Sequence, residues 1–199
     1  MQIGKVLYPV TTLGPGTRLG VWTTGCERRC PGCANPELQV WDESKELPID
    51  KVLDSVHHLE FRGVTVSGGE PFLQAKELRR LVDTVRTWGI DDILVFSGFT
   101  IGQLRSMHDE DVDHILSNIA VLVDGPFIED RYVEDPLRGS DNQNVLVLKP
   151  GYQKEYDDYR KQSKTIDVFR FEDETHFIGI PSPGYDDVYR SYVNGGKNE

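Results

Sequence analysis

The chain holds three cysteines, and all of them lie on one short segment as Cys26, Cys30 and Cys33, a C-x3-C-x2-C pattern. A structural zinc site takes four ligands and a disulfide framework takes an even number of cysteines, so neither fits the count. A [4Fe–4S] cluster is usually held by four thiolates. Three thiolates on one loop therefore indicate a cluster with one iron left open, which a small molecule can bind.

Two other interpretations of the cysteines stay open. Free cysteines often act as small buried hydrophobes, but these three flank Arg28, Arg29 and Pro31 on a polar loop, which disfavours that role. Zinc bound by three cysteines and one histidine is the stronger rival. None of the five histidines is near the loop in sequence, and we expect them at surfaces or helix ends, although folding could bring one close. They are His57, His58, His108, His114 and His176.

A second motif, Ser67-Gly68-Gly69-Glu70-Pro71, follows a short β-branched run. Paired glycines expose backbone amides and carbonyls and let a ligand approach the main chain. Glu70 adds an anionic acceptor. A plain turn from strand to helix would explain the glycines equally well, but a position after a three-cysteine loop favours ligand binding.

The surrounding sequence alternates strand and helix patterns, which predicts an α/β fold with a largely parallel sheet. Right-handed crossovers would curl that sheet into an open, partial barrel. The predicted strands are residues 19–23, 63–67, 93–96, 119–123 and 145–148, and the predicted helices are 49–60, 74–88 and 101–117.

Functional residues in such folds gather at the carboxyl ends of the strands. Four predicted strands end in unusual residues: the cysteine loop, the Gly68-Gly69-Glu70-Pro71 turn, Ser97-Gly98-Phe99 and Asp124-Gly125-Pro126. We therefore expect these four segments to share one site.

Residues 1–150 are predicted to form the core domain, and residues 151–199 a small appendage. The appendage pattern is a helix over 152–164, a hairpin of strands 166–171 and 176–180, and a short helix over 185–193. It is too small to form much of a hydrophobic core by itself, so we do not expect it to be an independent domain.

The net charge and the distribution of apolar residues exclude further classes of function. A net charge of -11 and a pI near 4.9 argue against a nucleic-acid surface, which needs clustered basic residues. The N-terminus lacks a signal-peptide pattern, and no apolar run approaches the ~18 residues of a membrane span. We expect a cytoplasmic protein, where reduced thiols suit metal ligation, with no nucleic-acid or membrane partner.

Several motifs together resemble the radical S-adenosylmethionine (SAM) superfamily and, within it, the activating enzymes of anaerobic (class III) ribonucleotide reductase. The resemblance covers residues 8–144. Beside the cysteines and the G-G-E-P turn, it rests on G-P-G-T-R at 14–18, C-P-G-C-A-N at 30–35, F-S-G-F-T at 96–100, V-L-V-D-G-P-F at 121–127 and R-G-S-D-N-Q at 138–143.

The resemblance implies a [4Fe–4S] cluster held by Cys26, Cys30 and Cys33, with SAM on its open iron. One electron, from flavodoxin or ferredoxin, would cleave SAM to a 5′-deoxyadenosyl radical, which takes a hydrogen atom from a glycine of a partner enzyme. That partner would be a glycyl radical enzyme, foremost anaerobic ribonucleotide reductase.

The resemblance also implies how the other motif residues contact SAM. Gly68, Gly69 and Glu70 would receive its amino group. Ser97 and Gly98 would lie near its ribose or methionyl part.

The chain departs from the family pattern at two positions. Leu13 stands where relatives carry Asp or Asn, which removes a polar contact near the cluster. Gly32 replaces an aromatic residue common in the superfamily, as it does in the reductase activases. The resemblance assigns no role to Asp124 or Arg138, and Arg138 suits a loop-fixing ion pair as well as a partner contact.

Two further functions stay open. One is a radical SAM enzyme that modifies a different protein or peptide. The other is a non-catalytic iron–sulfur electron carrier, which would leave the Gly68-Gly69-Glu70-Pro71 turn unexplained.

Overall fold

A computed structural model describes residues 1–172 and 174–184 of the chain. The strands are β1 Ile3–Val10, β2 Arg18–Thr23, β3 Gly63–Gly68, β4 Asp92–Phe96, β5 Val121–Asp124, β6 Tyr132–Asp135, β7 Arg138–Ser140, β8 Asn144–Val147, β9 Asp167–Arg170 and β10 Thr175–Ile178. The helices are α1 Ile49–Val56, α2 Ala75–Thr87, α3 Ile101–Ser106, α4 Glu110–Asn118 and α5 Gln153–Tyr159.

Six strands form the central sheet in the order β1-β2-β3-β4-β5-β8. Strands β2 to β5 are parallel to one another, whereas β1 and β8 pair antiparallel at the two edges. The predicted α/β class with a parallel-rich sheet is confirmed. The strand β1 was not predicted, since its burial does not alternate along the strand as a half-buried strand's would.

One face of the sheet packs against helices. Because side chains alternate along a strand, Leu19 and Val21 of β2 point to the same face as Ile93 and Val95 of β4. All four belong to the main hydrophobic core, together with the apolar sides of α1, α2 and α4. The helical pattern of residues 74–88 thus identified a helix that is buried on one side.

The opposite face of the sheet packs against the C-terminal part of the chain. Leu94 and Val121 contact a cluster that includes Tyr156 and Tyr159 of α5. Trp22 belongs to a second cluster with Ile178 of β10. The helix and the antiparallel hairpin predicted after residue 150 are present, as α5 and as β9 with β10.

The predicted helix over residues 101–117 is wrong in one respect, because it is two helices. The chain breaks at His108, which has a φ of 51°. Asp109 then starts α4 by accepting hydrogen bonds from the backbone N–H groups of Asp111 and Val112, at 2.8 and 3.2 Å. An aspartate that caps α4 explains the acidic middle of the pattern.

Other boundaries differ less. Helix α1 ends at Val56 and α5 at Tyr159, both earlier than predicted. The short antiparallel pair β6–β7 was not predicted. The helix expected at 185–193 lies outside the described residues. Within the described residues, no helix is long and apolar enough to cross a membrane.

Candidate functional site

The cysteine loop leaves the carboxyl end of β2 and is held at its base by main-chain hydrogen bonds. Gly25 N–H donates to the Leu38 carbonyl at 2.9 Å, and Cys26 N–H donates to the Gln39 carbonyl at 3.0 Å. Further along the loop, Cys33 N–H donates to the Cys30 carbonyl at 3.3 Å. These bonds form the base of a closed loop whose three thiols are free and partly exposed.

The Gly68-Gly69-Glu70 turn is attached directly to this loop. Gly69 N–H donates to the Thr23 carbonyl, and Glu70 N–H donates to the Gly25 carbonyl, each at 2.8 Å. Gly68 has a φ of 115°, a left-handed value that disfavours other residues. The turn and the cysteine loop therefore form one connected backbone unit.

All eight residues predicted for the site line one cavity of about 170 Å³ at the carboxyl end of the parallel strands. They are Cys26, Cys30, Cys33, Gly68, Gly69, Glu70, Ser97 and Gly98. A larger cavity of about 740 Å³ lies beside Pro15, Gly16 and α5, and none of the described residues that line it is a cysteine or a histidine. The donor groups, and not the size, make the smaller cavity the candidate site.

Glu70 ties two strand ends together through its carboxylate. The side chain is 1% exposed. One oxygen accepts from Ser97 Oγ at 2.9 Å and from Phe72 N–H at 3.1 Å, and the other accepts from Gly98 N–H at 2.7 Å. Burial raises the pKa of this carboxyl, and the three donors oppose that rise. Because a carboxylate has about four acceptor positions, little of this one is left for a ligand.

Asp124 and Arg138 have structural partners. Asp124 accepts from Ile101 N–H, at the start of α3, and from Asn144 Nδ2, at 2.6 and 2.8 Å. Arg138 forms an ion pair with Asp135 at 3.0 Å and donates to the Gln143 carbonyl at 2.9 Å. Both residues fix loops around the cavity, so of the two roles considered for Arg138 the structure contains the loop-fixing ion pair.

Gln143 connects that loop to the strand end of β5. Its Oε1 accepts from Gly139 N–H at 2.9 Å, and its Nε2 donates to the Gly125 carbonyl at 3.1 Å. Gln143, Gly125 and Gly139 all line the cavity. The R-G-S-D-N-Q motif thus forms a wall of the site.

Sequence reasoning missed several wall residues. Phe127, Ile180 and Pro181 line the cavity, the last two from the segment after β10. Nothing local in the sequence marks Ile180 or Pro181, because only the packing of the C-terminal hairpin brings them there. Leu13, which replaces a polar residue of the family pattern, is buried in an apolar cluster with Trp22.

The histidines do not support the zinc alternative. None of them lines the cavity in the part of the chain that the structure describes. His57 directly follows α1 and packs on Trp88, whereas His114 lies 2.7 Å from Asp83 and His176 lies 3.3 Å from Glu174. Across residues 1–172 and 174–184, no three His, Cys, Asp or Glu side chains are grouped tightly enough to hold a single metal ion.

The donor set does suit an iron–sulfur cluster. A cube binds each thiolate to a different iron, so its ligand sulfurs stand farther apart than the ligands of one ion. The three thiols line one cavity. Gly68 and Gly69 line the same cavity, so a small molecule bound there would lie beside the glycine turn.

We expect Gly69→Ala to displace the cysteine loop. A Cβ at this position would collide with the Gly25 carbonyl oxygen and lie 2.9 Å from the Leu38 carbonyl oxygen, and neither backbone atom can turn away. Stability should fall by about 1–3 kcal/mol, as in overpacked sites, with a lower iron content after reconstitution. Thermal unfolding and iron analysis check both effects. Gly151→Ala is the control, because nothing lies within 4 Å of a Cβ there; equal behaviour of the two variants would contradict the expectation.

Comparison with known proteins identifies the family of the chain. Residues 12–146 match the family described as the 4Fe-4S single cluster domain. The chain is 32% identical over 156 residues to the anaerobic ribonucleoside-triphosphate reductase-activating protein of Escherichia coli (strain K12), which covers 71% of the chain and 96% of the relative. The protein of the same name from Vibrio cholerae is 34% identical over 153 residues, covering 69% and 93%.

A second kind of activating enzyme is also similar. The pyruvate formate-lyase-activating enzyme of Staphylococcus aureus (strain USA300) is 27% identical over 183 residues, covering 78% of the chain and 71% of the relative. The two kinds of relative share activation of a glycyl radical enzyme. The chain thus belongs to the 4Fe-4S single cluster domain family and, within it, is a glycyl radical enzyme activase of the radical SAM type, an enzyme whose cofactors are a [4Fe–4S] cluster and SAM.

Proposed function

We propose that this protein installs a glycyl radical on an anaerobic ribonucleotide reductase, with its cluster held by Cys26, Cys30 and Cys33. The observation that carries the proposal is one cavity that joins all three thiols to the Gly68-Gly69-Glu70 turn. The names of two relatives, 32% and 34% identical to the chain, support the choice of partner. A different glycyl radical enzyme is the alternative partner, supported by the similarity to a pyruvate formate-lyase-activating enzyme.

When bound, the cluster and SAM would supply the bond cleavage, a one-electron reduction of the S–C5′ bond that releases methionine and leaves a nucleoside radical able to take a hydrogen atom from the partner's glycine. The protein's own residues bind, orient and shield. Backbone groups of Gly68 and Gly69 would receive the amino group of SAM. Ser97 and Gly98, which donate to Glu70, would position the cavity wall near the ribose or methionyl part.

The bonding of Glu70 makes it chiefly a positioning residue. Its carboxylate accepts from Phe72 in the turn after β3 and from Ser97 and Gly98 just beyond the end of β4, so it keeps the glycine turn and the Ser97-Gly98 segment at a fixed separation. Such preorganisation matters because misplacing the reacting groups by about 1 Å lowers the rate of the reaction.

We also propose the larger arrangement of the chain. The parallel strands β2 to β5 would form the partial barrel of a radical SAM core over residues 1–150, with residues 151–199 as an appendage and not a separate domain. The burial of Tyr156 and Ile178 against the sheet supports that division. Reduced thiols suit a reaction in the cytoplasm, with flavodoxin or ferredoxin as electron donor.

The experiment that tests this function has two stages. Anaerobic reconstitution with iron and sulfide, followed by dithionite and SAM, should yield 5′-deoxyadenosine and methionine by mass spectrometry. Adding the anaerobic ribonucleotide reductase of the same organism should then produce a glycyl radical signal in the electron paramagnetic resonance spectrum. A reducible, fully loaded cluster that never cleaves SAM, with or without the reductase, would refute the proposal and favour an electron carrier.

Glu70→Gln should weaken SAM binding by about tenfold and leave the iron content unchanged. Phe72, Ser97 and Gly98 all donate to the Glu70 carboxylate. The NH₂ group of a glutamine would face one of these donors, so one hydrogen bond worth about 1–2 kcal/mol would be lost. Equilibrium dialysis of the loaded variant measures the affinity. Glu60→Gln is the control, because Glu60 is exposed and does not line the cavity. Unchanged SAM affinity in Glu70→Gln would mean that the turn needs no support from this carboxylate.

A further inference from the structure

Arg28 lies between the first two cysteines and lines the cofactor cavity. Its guanidinium rests on the ring of Phe99, with the central carbon 4.5 Å from the ring centroid. Its one hydrogen bond in the described structure goes from Nη2 to Gln103 Oε1, at 3.3 Å. A guanidinium has five N–H donors, so most of the donors of this cation are unused.

Among these unused donors, the Nε–H of Arg28 is the most informative, because it is buried. Three buried side-chain polar atoms lack a hydrogen-bond partner among residues 1–172 and 174–184: Arg28 Nε, Asn142 Oδ1 and Lys164 Nζ. Of the three residues, only Arg28 lines the cavity. A buried donor without an acceptor is unfavourable, so a ligand that offers an acceptor in the cavity would stabilise this side chain.

Gly98 makes room for the arginine. A Cβ at position 98 would lie 2.7 Å from Arg28 Nε and collide with Cδ. The φ of Gly98 is not in the left-handed region, so the backbone at this position does not itself require glycine. The space next to Gly98 is occupied by the Arg28 side chain, which connects the cysteine loop to the end of β4.

The chemistry of the cavity selects the ligand group. Glu70 lines the same cavity and already accepts from Ser97, Phe72 and Gly98. The charge of Arg28 helps to offset the burial that raises the pKa of Glu70, but within the described residues the Arg28 Nε–H has no hydrogen-bond partner, Glu70 included. A planar guanidinium binds carboxylates through paired N–H donors. SAM carries one carboxylate, beside the amino group for which the glycine turn is proposed.

We propose that the Arg28 guanidinium binds the carboxylate of the methionyl part of SAM. This inference rests on the proposed function, since it needs SAM to occupy the cavity. Arg28 would then act together with the glycine turn: the turn receives the amino group and the arginine receives the carboxylate, so that the amino-acid end of SAM is held from two sides.

Ligands that differ in the carboxylate test the inference. The cluster-loaded wild-type protein and Arg28→Gln are compared without reductant for binding of SAM, S-adenosylhomocysteine and 5′-methylthioadenosine, the last of which lacks the amino-acid group. Isothermal titration calorimetry gives the dissociation constants. We expect Arg28→Gln to weaken the first two ligands by about 10- to 100-fold, the factor for one hydrogen bond to a charged group, and to leave methylthioadenosine unchanged.

Two further variants complete the design. Arg105→Gln removes an exposed arginine from α3 and should bind all three ligands as the wild type does. Arg28→Lys keeps the charge but not the planar fork, and should weaken SAM severalfold. If Arg28→Gln does not retain its iron, Arg28→Lys takes its place in the comparison with the wild type.

Each outcome decides the inference. Equal SAM affinity in the wild type and both Arg28 variants would overturn it, as would an equal loss for all three ligands, which would mean that Arg28 only shapes the wall. A wild-type protein that binds no SAM would instead overturn the proposed function, so the two failures are distinguishable.

Discussion

Cys30→Ala is expected to abolish cluster assembly. A three-thiolate cube has no spare ligand, and the chain has no other cysteine to replace the lost one. Cys30 is the middle cysteine of the three, and Cys26 and Cys33 line the same cavity. The iron content after anaerobic reconstitution should fall from about four atoms per chain to background, with loss of the visible absorbance of the cluster.

A matched variant separates ligation from folding. Glu27→Ala changes an exposed residue of the same loop and should keep its full iron content. The circular dichroism spectra of the iron-free wild type and Cys30→Ala should coincide, because the loop base is held by backbone bonds of Gly25 and Cys26 that do not involve the thiol. A normal iron count in Cys30→Ala would remove this residue from the ligand set and reopen the nature of the metal site.

The parts of the fold that sequence alone predicted are those with local signals. In α2, Leu78, Leu81, Val82 and Val85 recur at helical spacing, and all four are fully buried. Strand β3 is a β-branched run that is buried along most of its length. These elements could be predicted from their own residues, because each one packs a whole face against the core and that face sets the spacing of its apolar residues.

The elements that were missed depend on distant partners. Strands β6 and β7 are short and polar, and Asp135 at the end of β6 is paired with Arg138 and with Arg160, the latter 25 residues away. Burial alone would raise the pKa of the Asp135 carboxyl, but hydrogen bonds from Arg160 and the Leu137 N–H lower it below its usual value. No local pattern encodes a contact of this kind.

The features of the site also fall into two groups, those that sequence motifs predicted and those that only the side-chain contacts reveal. Motifs identified the types of residue, and the rule that parallel strands present their carboxyl ends together anticipated that they would converge. The sequence did not indicate that the Glu70 carboxylate is already occupied, or that Arg28 has unused donors beside it. Both facts follow from side-chain partners on different strand ends, which spacing along the chain does not determine.

Asp92→Ala is expected to destabilise the fold by about 3–5 kcal/mol. At the amino end of the sheet, Arg18 is 0% exposed and Asp92 is 2% exposed. Arg18 Nη1 donates to Asp92 Oδ2 at 2.8 Å, and the Tyr156 hydroxyl donates to Asp92 Oδ1 at 2.6 Å. Removing one partner of a buried ion pair leaves the other charge uncompensated in an apolar environment, which is the origin of that magnitude. Urea unfolding of the iron-free protein measures the loss as a lower midpoint at unchanged slope.

The neighbouring aspartate provides the control for this prediction. Asp91 is half exposed and pairs with Arg86 and Lys149 at 3.0 and 3.1 Å, so Asp91→Ala should change stability by only about 0–1 kcal/mol. Similar losses for Asp91→Ala and Asp92→Ala would show that burial of the Arg18–Asp92 pair does not matter.

Tyr156→Phe extends the argument to the C-terminal segment. Burial raises the pKa of Tyr156, so its hydroxyl stays protonated and donates to Asp92 from α5. Its loss should lower stability by about 1–2 kcal/mol within a single unfolding transition. A separate, earlier transition would mean instead that α5 unfolds independently of the sheet. If one transition is retained, the ion pair at the amino end of the strands stabilises both the core and the appendage, at the end of the sheet opposite the cysteine loop.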